Sequence, residues 1–262
     1  AFIARFSANL SKSRQATSRK KLLEKLNIEE IEPSTRRYPF VDFKISRECG
    51  NDILIVENLT KKPYFENLSF TVDKNDKIVF LSDNTLVTTT LFDVLMGKTK
   101  ADSGTIKWGV TITNDYMPGD NSEYFNKLGM NMCDWIRQYS GDEQTDTFVR
   151  GWLGRMLFSG DDVFKEVSVL SGGEKVRLML AKLMLSGANV ILLDDPSNHL
   201  DLETITSLNN GMIRYKGNLL FTSHDHEIIS TVANRVISFK NNEIIDRKMT
   251  YDEYLERFER EH

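Results

Sequence analysis

From Ser171 to Lys240 the hydrophobic pattern changes period again and again. A helical pattern follows Ser171, a strand pattern covers 189–194 and a helix follows Asp201. A strand then covers 218–222, a helix follows Asp225 and a strand covers 235–240. Short apolar strands separated by helices of this length argue an α/β chain with a mostly parallel sheet and crossover helices. Two segments stand at the junctions of this run. Leu170-Ser171-Gly172-Gly173-Glu174 puts a hydroxyl and two glycine amides at a helix start, where backbone N–H groups point at an anion such as phosphate. Ile191-Leu192-Leu193-Asp194-Asp195-Pro196-Ser197-Asn198-His199-Leu200-Asp201 is an apolar strand ending in paired carboxylates. That arrangement holds Mg²⁺ beside transferable phosphates.

Each segment also has a plainer reading. Ser171 with Glu174 fits a helix capping box, and Asp195 fits a capping or solvent-facing carboxylate after a strand. The plain readings do not explain why the glycine pair lies at a fixed distance before the Asp-Asp strand.

The 262 residues suffice for one α/β domain plus an extension. No apolar run approaches the roughly 18 residues that cross a bilayer, and no secretory leader pattern opens the chain. Cys49 and Cys133 are isolated and lack metal-ligand spacing, which suits packing residues in a reduced compartment. The net charge of −4 conceals a division: residues 1–26 carry +6 and the rest −10. A basic arm on an acidic body points to a polyanion, with a solvated helix face as the plainer alternative.

Residues 2–28 predict one helix, apolar at both ends and polar from Ser11 to Lys21, which suits a bridge between domains. Pro33 and Pro39 break regularity, so 32–51 reads as a connector. Ile53–Val56, Leu68–Val72, Ile78–Leu81 and Gly104–Trp108 predict strands, and a helix is predicted over Thr88–Met96. Residues 123–168 look helical, with Trp135, Ile136, Phe148, Trp152, Leu153, Met156 and Leu157 at core spacing. Tyr251–Glu261 reads as a short charged helix.

Together the signature-like and Asp-Asp segments resemble those of ATP-binding-cassette (ABC) ATPases. Asn198-His199-Leu200-Asp201, the opening Phe2-Ile3-Ala4-Arg5-Phe6-Ser7-Ala8-Asn9, Gln15-Ala16-Thr17-Ser18-Arg19, and Arg150-Gly151-Trp152-Leu153-Gly154-Arg155-Met156-Leu157-Phe158 are similar to the ABC-F branch. The resemblance implies an ABC nucleotide-binding domain over 52–250, a P-loop NTPase fold with a mixed sheet and a helical subdomain at about 123–170. It implies that 1–31 is the end of a basic interdomain linker helix, followed by the connector 32–51, the second cassette, and a charged helix over 251–262.

By the same resemblance, Asp194 orients Mg²⁺ with Thr89, and Asp195 stands in the slot of the catalytic Glu. His224 is the switch histidine that contacts the γ-phosphate. Ser171, Gly172, Gly173 and Glu174 close on a nucleotide held by a partner cassette, with Asp201 at that interface. The phosphate loop is where the chain departs from the pattern. A working loop reads G-x-x-x-x-G-K-[ST]. Here Ser82-Asp83-Asn84-Thr85-Leu86-Val87-Thr88-Thr89-Thr90 has Ser82 and Val87 in glycine slots and Thr88 in the lysine slot. Val87 is β-branched and resists the backbone conformations that a phosphate nest requires. Asp195 is one methylene shorter than Glu, and moving a base by about 1 Å costs around a hundredfold. The family's glutamine slot falls near Gly119, which has no side chain to offer. Tyr64 or Phe65 is the candidate for stacking on adenine.

The cofactors so implied are ATP and Mg²⁺, weakly held or absent on this loop. The implied partners are the first cassette of the same protein and the ribosome, with rRNA or tRNA reached by the basic helix and no membrane, in the cytoplasm. Three functions fit: a translation or ribosome-protection factor with one degenerate site, a docking module without turnover, or, against the Asn-His-Leu-Asp segment, a transporter ATPase subunit.

Overall fold

The computed structural model describes residues 37–240 and 243–258. The helix predicted over 2–28 lies outside the described residues, as does the end of the C-terminal helix.

Two sheets carry the described residues. β1 (Leu54–Lys61), β2 (Phe65–Val72) and β4 (Ser103–Trp108) form an antiparallel sheet in the order β2-β1-β4. β3 (Lys77–Ser82), β5 (Asn114–Met117), β6 (Val190–Leu193), β7 (Asn218–Phe221), β8 (Arg235–Lys240) and β9 (Glu243–Arg247) form the second, in the order β5-β6-β7-β3-β8-β9. Its first five members run parallel, and β9 pairs antiparallel on β8. All four residues of β6 and of β7 are buried. The apolar runs Val190–Leu193 and Leu219–Phe221 follow from that, since a parallel sheet is covered on both faces.

The two faces feed separate cores. Ile78 and Phe80 of β3 join one cluster, which also holds Leu91 and Phe92 of α1 (Thr85–Leu95). Val79 joins the other, with residues of α4 (Gly172–Ser186) and α5 (Leu202–Arg214). Phe80 meets Phe92 edge to face with ring centroids 5.4 Å apart. The remaining described helices are α2 (Met132–Arg137), α3 (Asp146–Arg155), α6 (His226–Val232) and α7 (Tyr251–Phe258).

The helical stretch expected over 123–168 is shorter in regular structure than its spacing suggests. Only α2 and α3 are α-helical there, preceded by a 3₁₀ turn at Ser122–Phe125 and followed by others at Gly160–Phe164 and Val167–Val169. Gly129, Gly141 and Gly160 at positive φ interrupt it. The aromatic stripe still faces inward: Trp135 is buried and stacks on Phe125 at 5.1 Å. The half-buried Trp152 donates Nε1–H to the Ala181 carbonyl at 2.9 Å.

The connector lacks helix or strand over residues 38–49 yet packs as core. Val41 and Phe43 are buried, and Phe40 N–H donates to the Arg155 carbonyl at 2.7 Å. Gly211 of α5 permits this, because a Cβ there would lie 2.9 Å from the Val41 carbonyl oxygen. Arg214 Nη2 also donates to that oxygen, at 3.1 Å.

Candidate functional site

A cavity of about 750 Å³ opens at the carboxyl ends of the parallel strands, the place where α/β sheets take ligands. Ser82, Asp83, Thr85, Thr88, Thr89, Gly119, Asp194, Asp195 and His224 all line it. The sequence therefore located part of its walls; Ser238, Lys240, Tyr251 and Tyr254 also line it and were not read as site residues. Among the described residues, Lys240 is the one Lys or Arg on those walls, against the carboxylates of Asp83, Asp120, Asp194 and Asp195.

Asp194 is the buried centre. It accepts the Thr89 hydroxyl on Oδ2 at 2.6 Å and the Thr222 hydroxyl on Oδ1 at 2.8 Å. Its backbone N–H donates to the Met117 carbonyl, fixing the end of β6 against β5. Thr222 also accepts the Asp195 backbone N–H at 2.8 Å, so one hydroxyl ties the Asp194 carboxylate to the backbone of Asp195. Thr222 escaped the sequence reading, and its position two residues before His224 was the available signal. Gly119 lies beside this group: a Cβ would sit 3.3 Å from Asp194 Oδ2. Asp195 has φ of 47°, a left-handed conformation that Asp tolerates better than most residues. His224 is exposed at the rim, and His226 leans on Tyr251 with ring centroids 5.3 Å apart.

Other groups nearby show what burial does. Burial raises the Asp93 carboxyl above its usual range, against the opposing pull of Lys98 and of the Tyr116 hydroxyl. The same burial, reinforced by the charge of Asp194, raises the Tyr116 phenol.

The phosphate-loop segment departs most from expectation. The helix predicted from Thr88 begins at Thr85, because Asn84 caps it. The Asn84 side chain accepts Leu86 N–H at 3.0 Å, and its backbone carbonyl accepts Val87 N–H at 3.0 Å. Asn84 N–H in turn donates to Ser82 Oγ at 3.2 Å. The glycine slot and the lysine slot thus lie inside the first turn of α1. Val87 is buried in the core, and Leu86 faces solvent. Thr88 is also buried and donates its hydroxyl to the Thr85 carbonyl at 2.9 Å. Asn84, Leu86, Val87 and the half-buried Thr90 do not line the cavity. Neither do Tyr64 and Phe65; Phe65 is core and Tyr64 packs against it, so the adenine-stacking expectation finds no support in the geometry. The donor pair Thr89 and Asp194 suits Mg²⁺, while the N–H groups of Asn84, Leu86 and Val87 are bonded within the segment itself.

The signature segment is built differently. Ser171 caps α4, and both halves of a capping box with Glu174 are formed. Burial pushes the Glu174 carboxyl up, but the Ser171 N–H and hydroxyl and the Lys165 ammonium outweigh it and hold it below the usual range. The glycine pair serves a close approach of backbone: a Cβ on Gly173 would lie 2.8 Å from the His199 carbonyl oxygen, and one on Gly172 3.2 Å from the His199 ring. A recess of about 410 Å³ results, lined by Ser171, Gly172, Gly173, Glu174, Arg177, His199, Leu200 and Asp201. Asp201 also caps α5, accepting Thr204 N–H at 2.7 Å.

The site thus has two elements: a recess at a glycine-paired helix start, and an Asp-Asp strand facing a strand-to-helix loop. The profile described as ABC transporter matches residues 65–198, just over half of the chain, and a second profile with the same description matches 1–43. The chain belongs to the ABC family. Members of this family bind ATP with Mg²⁺.

The uncharacterized ABC transporter ATP-binding protein YkpA of Bacillus subtilis is 58% identical over 97% of this chain and 48% of its own length. ABC transporter F family member 5 of Arabidopsis thaliana is 30% identical over 97% of this chain and 37% of its own. The energy-dependent translational throttle protein EttA of Escherichia coli is 31% identical over 79% and 39%. The chain therefore spans half or less of these relatives. In fold, it matches the ATP-binding cassette MJ0796, in a dimeric post-hydrolysis structure with ADP and Pi. The TM-score is 0.63 at 14% identity, over 75% of this chain and 99% of that one. No helix among the described residues is long and apolar enough to cross a membrane.

Proposed function

We propose that this ABC chain is the second cassette of an ABC-F protein that acts in the cytoplasm on the ribosome, in translation or in its protection. The relatives named F family member 5 and translational throttle support that direction. In this reading the cassette gives Ser171, Gly172 and Gly173 to a nucleotide on the partner cassette's loop. Its own loop binds Mg²⁺ and ATP weakly and turns over little. The basic segment 1–31 contacts rRNA or tRNA.

The observation that carries the proposal is the contrast between two helix starts. The recess at α4 stands open beside paired glycines. At the start of α1 the Leu86 and Val87 amides are bonded to Asn84, with Thr88 where a lysine would reach phosphate. The acidic lining of the main cavity repels a polyanion further. The same contrast favours the docking-module alternative, a cassette kept for contact without turnover.

The test uses the full-length protein with labels on its two cassettes. Distances are read with and without ATP. Ser171→Arg should abolish nucleotide-dependent closure, because a bulky cation would occupy the recess. Thr88→Ala should change it little. Equal loss from both substitutions would mean that the 82–90 loop binds nucleotide after all.

A further inference from the structure

We infer that the β8 side of the cavity is a second binding site, for the oxyanion of a phosphate or phosphate ester. It uses neither Asp194 nor the 82–90 loop. Along β8, Val236, Ser238 and Lys240 alternate onto one face. Val236 shares a core cluster with Ile228, Ile229 and Val232 of α6 and Tyr254 of α7, whereas Ile237 belongs to the opposite core. The face covered by α6 and α7 thus changes from apolar to hydrogen-bond donors where β8 reaches the cavity. Ser238, Lys240 and Tyr254 all line it there.

These donors lack partners. Ser238 and Tyr254 are 5% and 3% exposed. Among the described residues neither side-chain hydroxyl makes a hydrogen bond, and Lys240 makes no ion pair. Thr204 Oγ1 is the one fully enclosed side-chain polar atom without a partner among those residues. The hydroxyls of Ser238 and Tyr254 are therefore reached from open space, and for residues this buried that space is the cavity they line. Buried hydroxyls without partners are costly, and an entering acceptor satisfies both. Two hydroxyls beside an ammonium suit an anionic oxygen. The cavity's carboxylates stand mostly elsewhere. Asp194 and Asp195 follow β6, three steps from β8 in the order β6-β7-β3-β8, and Asp120 follows β5, one step farther. Three steps are roughly 14 Å, beyond the Debye length of about 8 Å at physiological salt. Asp83 is nearer, since Ser82 pairs with Phe239, but it is exposed to water. Tyr251 and His226, with ring centroids 5.3 Å apart on the same walls, offer aromatic surface to the body of an ester such as a mononucleotide.

The full chain is titrated with inorganic phosphate and, separately, with AMP, both without Mg²⁺, and backbone amide shifts are followed by NMR. Saturable shifts should centre on residues 238–240 and 251–254. Tyr254→Phe and Ser238→Ala each remove one hydroxyl and keep the packing; Lys240→Met removes the charge. Each should weaken binding at least about tenfold, since each takes a hydrogen bond from a charged ligand. Lys216→Met makes the same charge change at an exposed residue off the cavity walls and should alter binding less than twofold. Melting curves check that the variants fold. AMP binding tenfold tighter than phosphate, with the same dependence on the variants, supports the site with an ester as its ligand; equal affinities support it with free phosphate. No saturable shift with either ligand overturns the inference. So does binding that ignores all three variants; if its shifts then centre on 82–90, the reading of that loop as a weak anion site falls as well.

Discussion

Thr222 holds the Asp194 carboxylate and the Asp195 N–H at once through one hydroxyl. Thr222→Val keeps the shape, removes a donor from a buried carboxylate and strands the Asp195 N–H. A loss of roughly 1.5–3 kcal/mol is expected, the range for hydrogen bonds to charged groups, read from chemical denaturation midpoints. Gly173→Ala forces a methyl group to within 2.8 Å of the His199 carbonyl oxygen. Backbone cannot yield as a side-chain tip does, so about 1–3 kcal/mol of overpacking strain is expected in the same assay. Chemistry at this scale should be quiet. With Thr88 in the lysine slot and Asp195 one methylene short of the family's Glu, phosphate release by this chain alone should match a control without protein. Release well above that control, and lost in Asp194→Ala, would contradict the reading.

At the scale of elements, α4 and β8 each hang on a charged contact. The Glu174 carboxylate closes the capping box of α4, and its acidity is depressed in the folded chain. That contribution is fully present above the unfolded pKa of Glu and is lost as pH falls through the lower folded value. The protection factor of the Ser171 amide, its exchange rate corrected for the intrinsic pH dependence, should therefore fall on acidification in the wild type. In Glu174→Gln that pH step should vanish. β8 depends on Arg235, buried between Asp76 at 2.7 Å and Asp246 at 2.6 Å, with the Thr71 carbonyl as a further acceptor. Arg235→Met leaves a buried Asp76 uncompensated, so a loss of about 3–5 kcal/mol in unfolding free energy is expected.

The elements that the sequence disclosed well are those with strong periodicity. The alternation after Ser171 located α4, β6, α5, β7, α6 and β8 nearly to the residue. Asn114–Met117 and Glu243–Arg247 escaped, because edge strands with polar residues lack an apolar run. The start of α1 was misplaced by three residues, because Asn84 acts as a cap through side-chain geometry that periodicity does not encode. At the site, residue types disclosed Asp194, Asp195 and His224. They did not disclose that His199 is what the glycine pair makes room for, a contact between segments far apart in sequence.

At the scale of the whole molecule, charge separates the segment 1–26, at +6, from a remainder at −10. If that segment carries contact with RNA, binding to ribosomes should fall steeply with salt, since phosphate contacts release counterions. Replacing Arg14, Arg19, Lys20 and Lys21 together with Ala should flatten that salt dependence and weaken binding. Unchanged binding would reduce the segment to a spacer.

The docking of Val41 on Gly211 has a mechanical reading. α5 has 13 residues, a rod of roughly 20 Å at 1.5 Å per residue. One end is clamped by Asp201 at the rim of the signature recess. Near the other end, Gly211 and Arg214 grip the chain three residues after it enters the cassette at Tyr38. Val41 and the Asp201 cap thus hang on one stiff element, with no slack loop between them.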